Sequence, residues 1–245
     1  MGPLRLGLQY VLSFVFIVQM YLAMAVMGIV FLPWALLSPR GAYFACHLFC
    51  RWVIWTARVL VGLRSEVRGD PPADAVLIAA KHQSFLDILL IFSAVPRGRF
   101  IMKKELAWAP VLGQYALRIG CVPVDRGKRG VAIKRMLADI AAGRQEGGQL
   151  IIYAQGTRVA PGEKRPYKIG TGAIYQDLGQ DCVPVATNVG MFWPRRSMLR
   201  LPGVAVVEFL PRIPAGKPVG ELMAELEHVV EARSDALMAE AGFRG

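Results

Sequence analysis

The chain opens on a long apolar stretch and then changes period. From Leu6 to Pro39 no residue is charged, and Gln9 and Gln19 are the strongly polar side chains before Pro33-Trp34. A helix through most of it would run roughly 45–50 Å, more than the ~30 Å hydrocarbon core of a bilayer requires. A cleaved leader has an apolar core of about 7–15 residues and a small-residue cleavage site, so this stretch reads as an anchor instead. After Ser38-Pro39-Arg40-Gly41 a second apolar segment continues to about Leu63. Arg51 and Arg58 lie seven apart on it and share one helical face, as in a helix that lies along an interface.

Arg64 to Ala75 is polar and carries Asp70-Pro71-Pro72, a natural boundary. It divides two N-terminal membrane-anchoring helices, residues 1–64, from an α/β domain, residues 65–245. In that domain apolar runs of strand length alternate with helical patterns. Strands are predicted at 75–80, 99–102, 121–124, 149–153, 182–187 and 204–210. Helices are predicted at 85–94, 105–117, 128–142, 169–178 and from Val219 to Ala241. This alternation predicts a mostly parallel sheet flanked by helices. The strand through Val183-Pro184 should be an edge or carry a bulge, because proline cannot donate to the ladder.

Composition supports contact with lipid. Apolar residues make up 54% and the net charge is +11, with a mean hydropathy of +0.39. Such a charge suits nucleic acid, an anionic membrane surface or a phosphorylated substrate, and the apolar N-terminus favours the last two. No nucleic-acid signature is recognisable, so no nucleic-acid partner is expected. Gly170-Thr171-Gly172 and Gly127-Lys128 fit neither a phosphate-binding loop nor a dinucleotide fingerprint. Cys46, Cys50, Cys121 and Cys182 form no paired spacing, and buried thiols are expected in place of a metal site. Arg40, Arg51, Arg58 and Arg64, against Arg5 upstream, put the following domain on the cytoplasmic side.

Candidate chemistry begins where the strand at 75–80 ends, in Lys81-His82-Gln83-Ser84-Phe85-Leu86-Asp87. Positions i and i+5 point about 140° apart on a helix, so His82 belongs to the turn and Asp87 to the first helical turn, reaching back. A carboxylate against one imidazole nitrogen fixes the tautomer and leaves the other nitrogen as a base. Ser84-x-x-Asp87 equally resembles a capping box. Lys103, Arg126 and Arg158 also lie near predicted strand ends, where cations meeting above one sheet edge would clamp an anion. Phe192-Trp193-Pro194-Arg195-Arg196 is either a headgroup-level cluster or a basic loop with one aromatic packed inward.

His82-x4-Asp87, Gly120 to Arg126, Gln155-Gly156-Thr157-Arg158 and the Val183-Pro184 strand stand in an order and spacing that resembles the glycerolipid acyltransferase family. Within it, the pattern is similar to the bacterial 1-acylglycerol-3-phosphate (lysophosphatidic acid) acyltransferases, over roughly residues 75 to 210. The resemblance implies the glycerolipid acyltransferase fold and acyl transfer to the sn-2 hydroxyl of lysophosphatidic acid, giving phosphatidic acid. It implies His82 as general base oriented by Asp87, and Lys103, Arg126, Gln155, Gly156, Thr157 and Arg158 as substrate-binding residues. No metal or resident cofactor is implied; the co-substrate is an acyl-CoA or acyl carrier protein thioester. Membrane lipids and a lysophospholipid acceptor are the partners, at the bacterial inner membrane. Two positions depart from the family: Lys81 stands where Asn is usual, and Gln155 stands where Glu is usual. Gln155 can hydrogen-bond but carries no charge.

Other readings stand beside this one. The acceptor could be a lyso-ornithine lipid, with the arginines facing a carboxylate. A thioesterase or serine hydrolase would use Ser84 with His82 and Asp87, although no G-x-S-x-G elbow is present. A non-catalytic membrane-bound binding protein is the third.

Overall fold

The computed structural model describes residues 2–124, 129–141 and 147–243. Helices α1 (Pro3–Val30) and α3 (Pro39–Val61) are each long and apolar enough to cross a membrane and are candidate anchors. The short α2 (Leu32–Leu37) joins them. The break at Phe31 falls just before Pro33, whose ring and missing N–H do not fit a helix interior. Ser38 caps α3 by accepting from the Arg40 N–H at 3.2 Å, with Pro39 in the first helical position.

The first helix is not bare. Gln9, Ser13, Phe16 and Met20 form a buried stripe at helical spacing. Gln9 Nε2 donates to the carbonyls of Val61 and Arg200 at 3.1 and 2.7 Å. Ser13 Oγ accepts from the Arg200 N–H at 2.9 Å, and Phe16 meets Trp193 edge-on at 5.4 Å. The few polar residues of this helix therefore dock it onto the α/β domain, while Leu8, Leu22 and Ile29 stay exposed.

Among the described residues the sheet has seven strands: β1 (Leu63–Arg68), β2 (Leu77–Ala80), β3 (Arg99–Lys103), β4 (Val122–Val124), β5 (Leu150–Tyr153), β6 (Cys182–Thr187) and β7 (Gly203–Phe209). Their order is β1-β7-β6-β2-β5-β3-β4. All neighbours run parallel except β6 and β7. Helices cover both faces. One core packs Ile78, Ala80, Ile151 and Val185 against α1, α3 and α4 (Leu86–Ala94). The other packs Leu77, Ala79 and Ile152 against α6 (Arg129–Ala141), α7 (Gly170–Leu178) and α8 (Val219–Glu240). Residues alternate between these cores along β2, so consecutive positions at its end face opposite sides of the sheet.

Two local expectations change, and the third, for Pro184, resolves to a bulge. The polar connector after α3 holds β1, whose charged Arg64, Glu66 and Arg68 suit the edge of a sheet. The helix expected at 105–117 is split into a 3₁₀ turn, Lys104–Trp108, and α5 (Leu112–Arg118). Pro110 causes the split, since it lacks an N–H and disfavours helix at the residue before it. Pro184 lies in the interior of the sheet and not at its edge. Between Cys182↔Ile213 and Val185↔Phe209, β6 advances three residues while its partner advances four. That bulge absorbs the missing donor of Pro184.

Candidate active site

Strands β2, β5 and β6 end side by side, and their following turns are tied together. The Val159 N–H donates to the His82 carbonyl at 2.8 Å. Ser84 Oγ donates to the Trp193 carbonyl at 2.6 Å and accepts from the Leu86 N–H at 3.2 Å. Residues far apart in sequence thus meet at the carboxyl edge of the parallel strands, where open α/β sheets bind ligands.

His82 sits in the turn and Asp87 in the first turn of α4, as the spacing predicts. His82 Nδ1 lies 2.8 Å from Asp87 Oδ1. The second oxygen, Oδ2, accepts from the N–H groups of Gln83 and Ser84, both at 2.8 Å. Asp87 is fully buried, whereas the His82 side chain is 12% exposed. The Asp87 half of the expected capping box, its carboxylate accepting from the Ser84 N–H, and the His–Asp pair are therefore one arrangement. A buried carboxylate acceptor makes Nδ1 the protonated nitrogen and leaves the Nε2 lone pair able to accept a proton.

Tyr153, the last residue of β5, stacks on the His82 ring with centroids 3.8 Å apart and 18° between planes. Burial and the nearby Asp87 carboxylate hold its phenol well above the ordinary range, so it stays neutral. Phe100 stacks on Tyr153 in turn, at 6.2 Å. Phe100 and Phe85 are also walls of an apolar cavity of about 140 Å³, lined further by Met24, Met27 and Gly28 of α1 and by Tyr115 of α5.

The turn after β5 carries the cations. Gly156 takes a left-handed conformation (φ 68°) that favours glycine. Its N–H donates to the Tyr153 carbonyl at 2.8 Å. A side chain there would meet Lys168, whose Nζ would lie 3.1 Å from an added Cβ. Lys168 therefore lies across the glycine. Thr157 is partly buried, and Arg158 is exposed beside them. Lys103 ends β3 at the same sheet edge, paired in register with Val124. Arg126, expected two residues further on, lies outside the described residues.

Gln155 is placed differently from its neighbours. It is 2% exposed, and its Nε2 points to the Arg165 carbonyl at 3.2 Å and to Glu231 of α8 at 3.4 Å. It faces the interior. Trp193 is also buried, between Phe16 and Phe85 and under the Arg200 guanidinium at 4.4 Å. The aromatic of that loop packs inward, and Arg195 and Arg196 remain at the surface. Among the described residues no three His, Cys, Asp or Glu side chains converge to hold a metal.

Tyr153, Lys168 and Glu231 escape a reading by motif. Tyr153 reads as the end of a hydrophobic strand, Lys168 as a surface charge, and Glu231 as the solvated face of a packing helix. A family model described as Acyltransferase matches residues 64–188. The chain belongs to the acyltransferase family. The acyltransferase is 28% identical over 208 residues to the 1-acyl-sn-glycerol-3-phosphate acyltransferase of Pseudomonas aeruginosa, covering 84% of this chain and 81% of that protein. It is 27% identical over 183 residues to 1-acyl-sn-glycerol-3-phosphate acyltransferase alpha of Homo sapiens, covering 72% of this chain and 64% of that one. Its fold matches the crystal structure of the 1-acyl-sn-glycerophosphate (LPA) acyltransferase PlsC from Thermotoga maritima. The TM-score is 0.78 at 20% identity, over 96% of this chain and 99% of that chain.

Proposed function

We propose that this acyltransferase transfers an acyl chain from a thioester to the sn-2 hydroxyl of lysophosphatidic acid, producing phosphatidic acid. The observation that carries the reading is the Nδ1-anchored His82, whose carbonyl is tied to Val159 just after the cationic turn and whose ring stacks on Tyr153, itself stacked on Phe100 in the wall of the apolar cavity. His82 Nε2 takes the proton as the acceptor oxygen attacks the thioester carbon. The tetrahedral intermediate then collapses, the carbon–sulfur bond breaks, and the departing sulfur recovers that proton from Nε2. Asp87 stabilises the imidazolium in between. No covalent acyl-enzyme is required.

Arg158 and Lys168, with Lys103 and Arg126, hold the acceptor's phosphate, and the acyl tail lodges in the apolar cavity. The donor is acyl-CoA or acyl-acyl carrier protein. Helices α1 and α3 seat the enzyme in the bacterial inner membrane with the α/β domain on the cytoplasmic side. The relatives' names, the charge pattern and the exposed apolar surface of α1 support this reading.

The test is purified enzyme with a labelled acyl thioester and a panel of lysolipids, products resolved by mass. Acylated lysophosphatidate is the expected product. Preferential acylation of lyso-ornithine lipid would replace the acceptor, and free fatty acid released without acceptor would replace acyl transfer with hydrolysis.

A further inference from the structure

The residue before the proposed base is a lysine that has almost no contact with solvent. Lys81 is 1% exposed and points to the opposite face of the sheet from the apolar cavity. Its Nζ lies 2.5 Å from Glu231 Oε2 on α8. The other oxygen, Glu231 Oε1, accepts from the Tyr167 hydroxyl at 3.0 Å and from Gln155 Nε2 at 3.4 Å. Burial and the Glu231 carboxylate push the Tyr167 phenol up, so it stays a neutral donor. Gln155 Oε1 is buried and accepts no hydrogen bond among the described residues.

The charge count here is tight. The Lys81 ammonium is buried, the Glu231 carboxylate paired with it is 16% exposed, and the third member is a buried neutral amide. A carboxylate at 155 would stand next to that of Glu231 with a single lysine between them, and two carboxylates sharing one site resist ionising together. The two departures from the family pattern, Lys81 and Gln155, are thus coupled to a third residue that lies outside every motif.

The connections made by this cluster are as informative as its charge. Lys81 adjoins His82, Gln155 adjoins Gly156, and Tyr167 adjoins Lys168. One carboxylate on α8 therefore holds the turn bearing the base, the turn bearing Arg158 and the lysine lying across Gly156. We infer that Glu231 and Lys81 are positioning residues: their partly buried ion pair fixes the base-bearing and anion-binding turns relative to each other, doing from α8 what a carboxylate at position 155 would otherwise do. The inference rests on the reading of His82 and the Gly156–Arg158 turn as the site of acyl transfer.

The experiment measures KM for acceptor and for acyl thioester separately, in membranes or detergent, on whichever lysolipid the unaltered enzyme acylates. Glu231→Gln should raise the acceptor KM on the order of tenfold or more and lower kcat, leaving the donor KM unchanged, since misplacement of about 1 Å can cost roughly 100-fold. A variant that merely folded poorly would lower the amount of active enzyme and leave both KM values alone. Gln155→Glu alone should also impair the enzyme by crowding two carboxylates. Combined with Glu231→Gln it should bring the acceptor KM back to within about threefold of the starting value.

Because a lone buried ammonium can prevent folding, Lys81→Met with Glu231→Gln serves as the neutral control. It should fold and reach the membrane but keep a raised acceptor KM. A normal acceptor KM in that control, or no rescue by the carboxylate at 155, would overturn the inference. Failure of the proposed function would look different, as absence of acyl transfer by the unaltered enzyme.

Discussion

Asp87 gives one carboxylate oxygen to His82 Nδ1 and the other to the backbone of the turn that carries His82. Tautomer and turn geometry thus depend on the same side chain, and substitutions of it should separate the two roles. In Asp87→Asn, the amide oxygen can still accept from Gln83 and Ser84, but the amide nitrogen then faces Nδ1. That arrangement favours the tautomer protonated at Nε2, which cannot act as a base. Turnover should fall roughly 10³–10⁴-fold with little loss of stability. Asp87→Ala should lose turnover and also about 1–2 kcal/mol of stability with the cap. The check is turnover alongside thermal unfolding in detergent for both variants.

His82→Ala should abolish acyl transfer while the protein remains folded and membrane-bound. Tyr153 supports the same ring from below. Tyr153→Phe keeps the stacking surface and Tyr153→Ala removes it, so the alanine variant should be slower by about tenfold relative to phenylalanine. Equal rates in the two variants would show that the stacked ring does not orient the base.

Arg158→Ala should raise the acceptor KM far more than the donor KM. A charge-assisted hydrogen bond to phosphate contributes about 1.5–3 kcal/mol, so roughly tenfold or more is expected. Lys168→Ala should act in the same direction, because its side chain lies over Gly156 in the same turn. Steady-state kinetics with each substrate varied separately distinguish this from a general loss of activity. Equal shifts in both KM values would remove the phosphate role.

Two thiols should be inert. Burial pushes Cys121 up to about 11 and Cys182 up to about 12. At pH 8 their thiolate fractions are then about 0.1% and 0.01%, rising tenfold with each pH unit below the pKa. Brief alkylation of the native enzyme at pH 8 should leave both unmodified by peptide mapping, with modification after denaturation. Rapid native labelling at Cys121 would mean that the cavity it borders opens to water.

Gln9→Leu would leave the Val61 and Arg200 carbonyls without their donor. The cost should be about 1–3 kcal/mol, a fall in Tm of roughly 2–10 °C for a chain of this size. Unfolding followed by near-ultraviolet circular dichroism measures it.

Much of this architecture is legible from periodicity and punctuation. β2 reads as a strand because six apolar residues, Ala75 to Ala80, end at Lys81, and α6 and α8 read as helices from their spacing. β1 is hidden because half of its residues are charged, which is how an edge strand looks when it is read alone. Pro184 reads as an edge or a bulge, and a single sequence does not choose between them because the extra residue opposite it, between Phe209 and Ile213, is far along the chain. In the site, His82 and Asp87 are visible through local spacing. Glu231 is not, since its partner is 150 positions away and its own helix gives it the pattern of an exposed face. Gln155 shows a lost charge, but the compensating carboxylate becomes evident only once α8 is laid on the sheet.

The stripe on α1 that holds Arg200 and Trp193 has a consequence for any attempt to make a shorter, soluble enzyme. Met24, Met27 and Gly28 of the same helix line the apolar cavity, so this helix is a wall of the chamber as much as a candidate anchor. Replacing residues 3–30 with an unrelated hydrophobic span would return the protein to the bilayer yet leave the chamber breached on one side. Attachment and enclosure are supplied by the same twenty-eight residues, so neither can be engineered independently of the other.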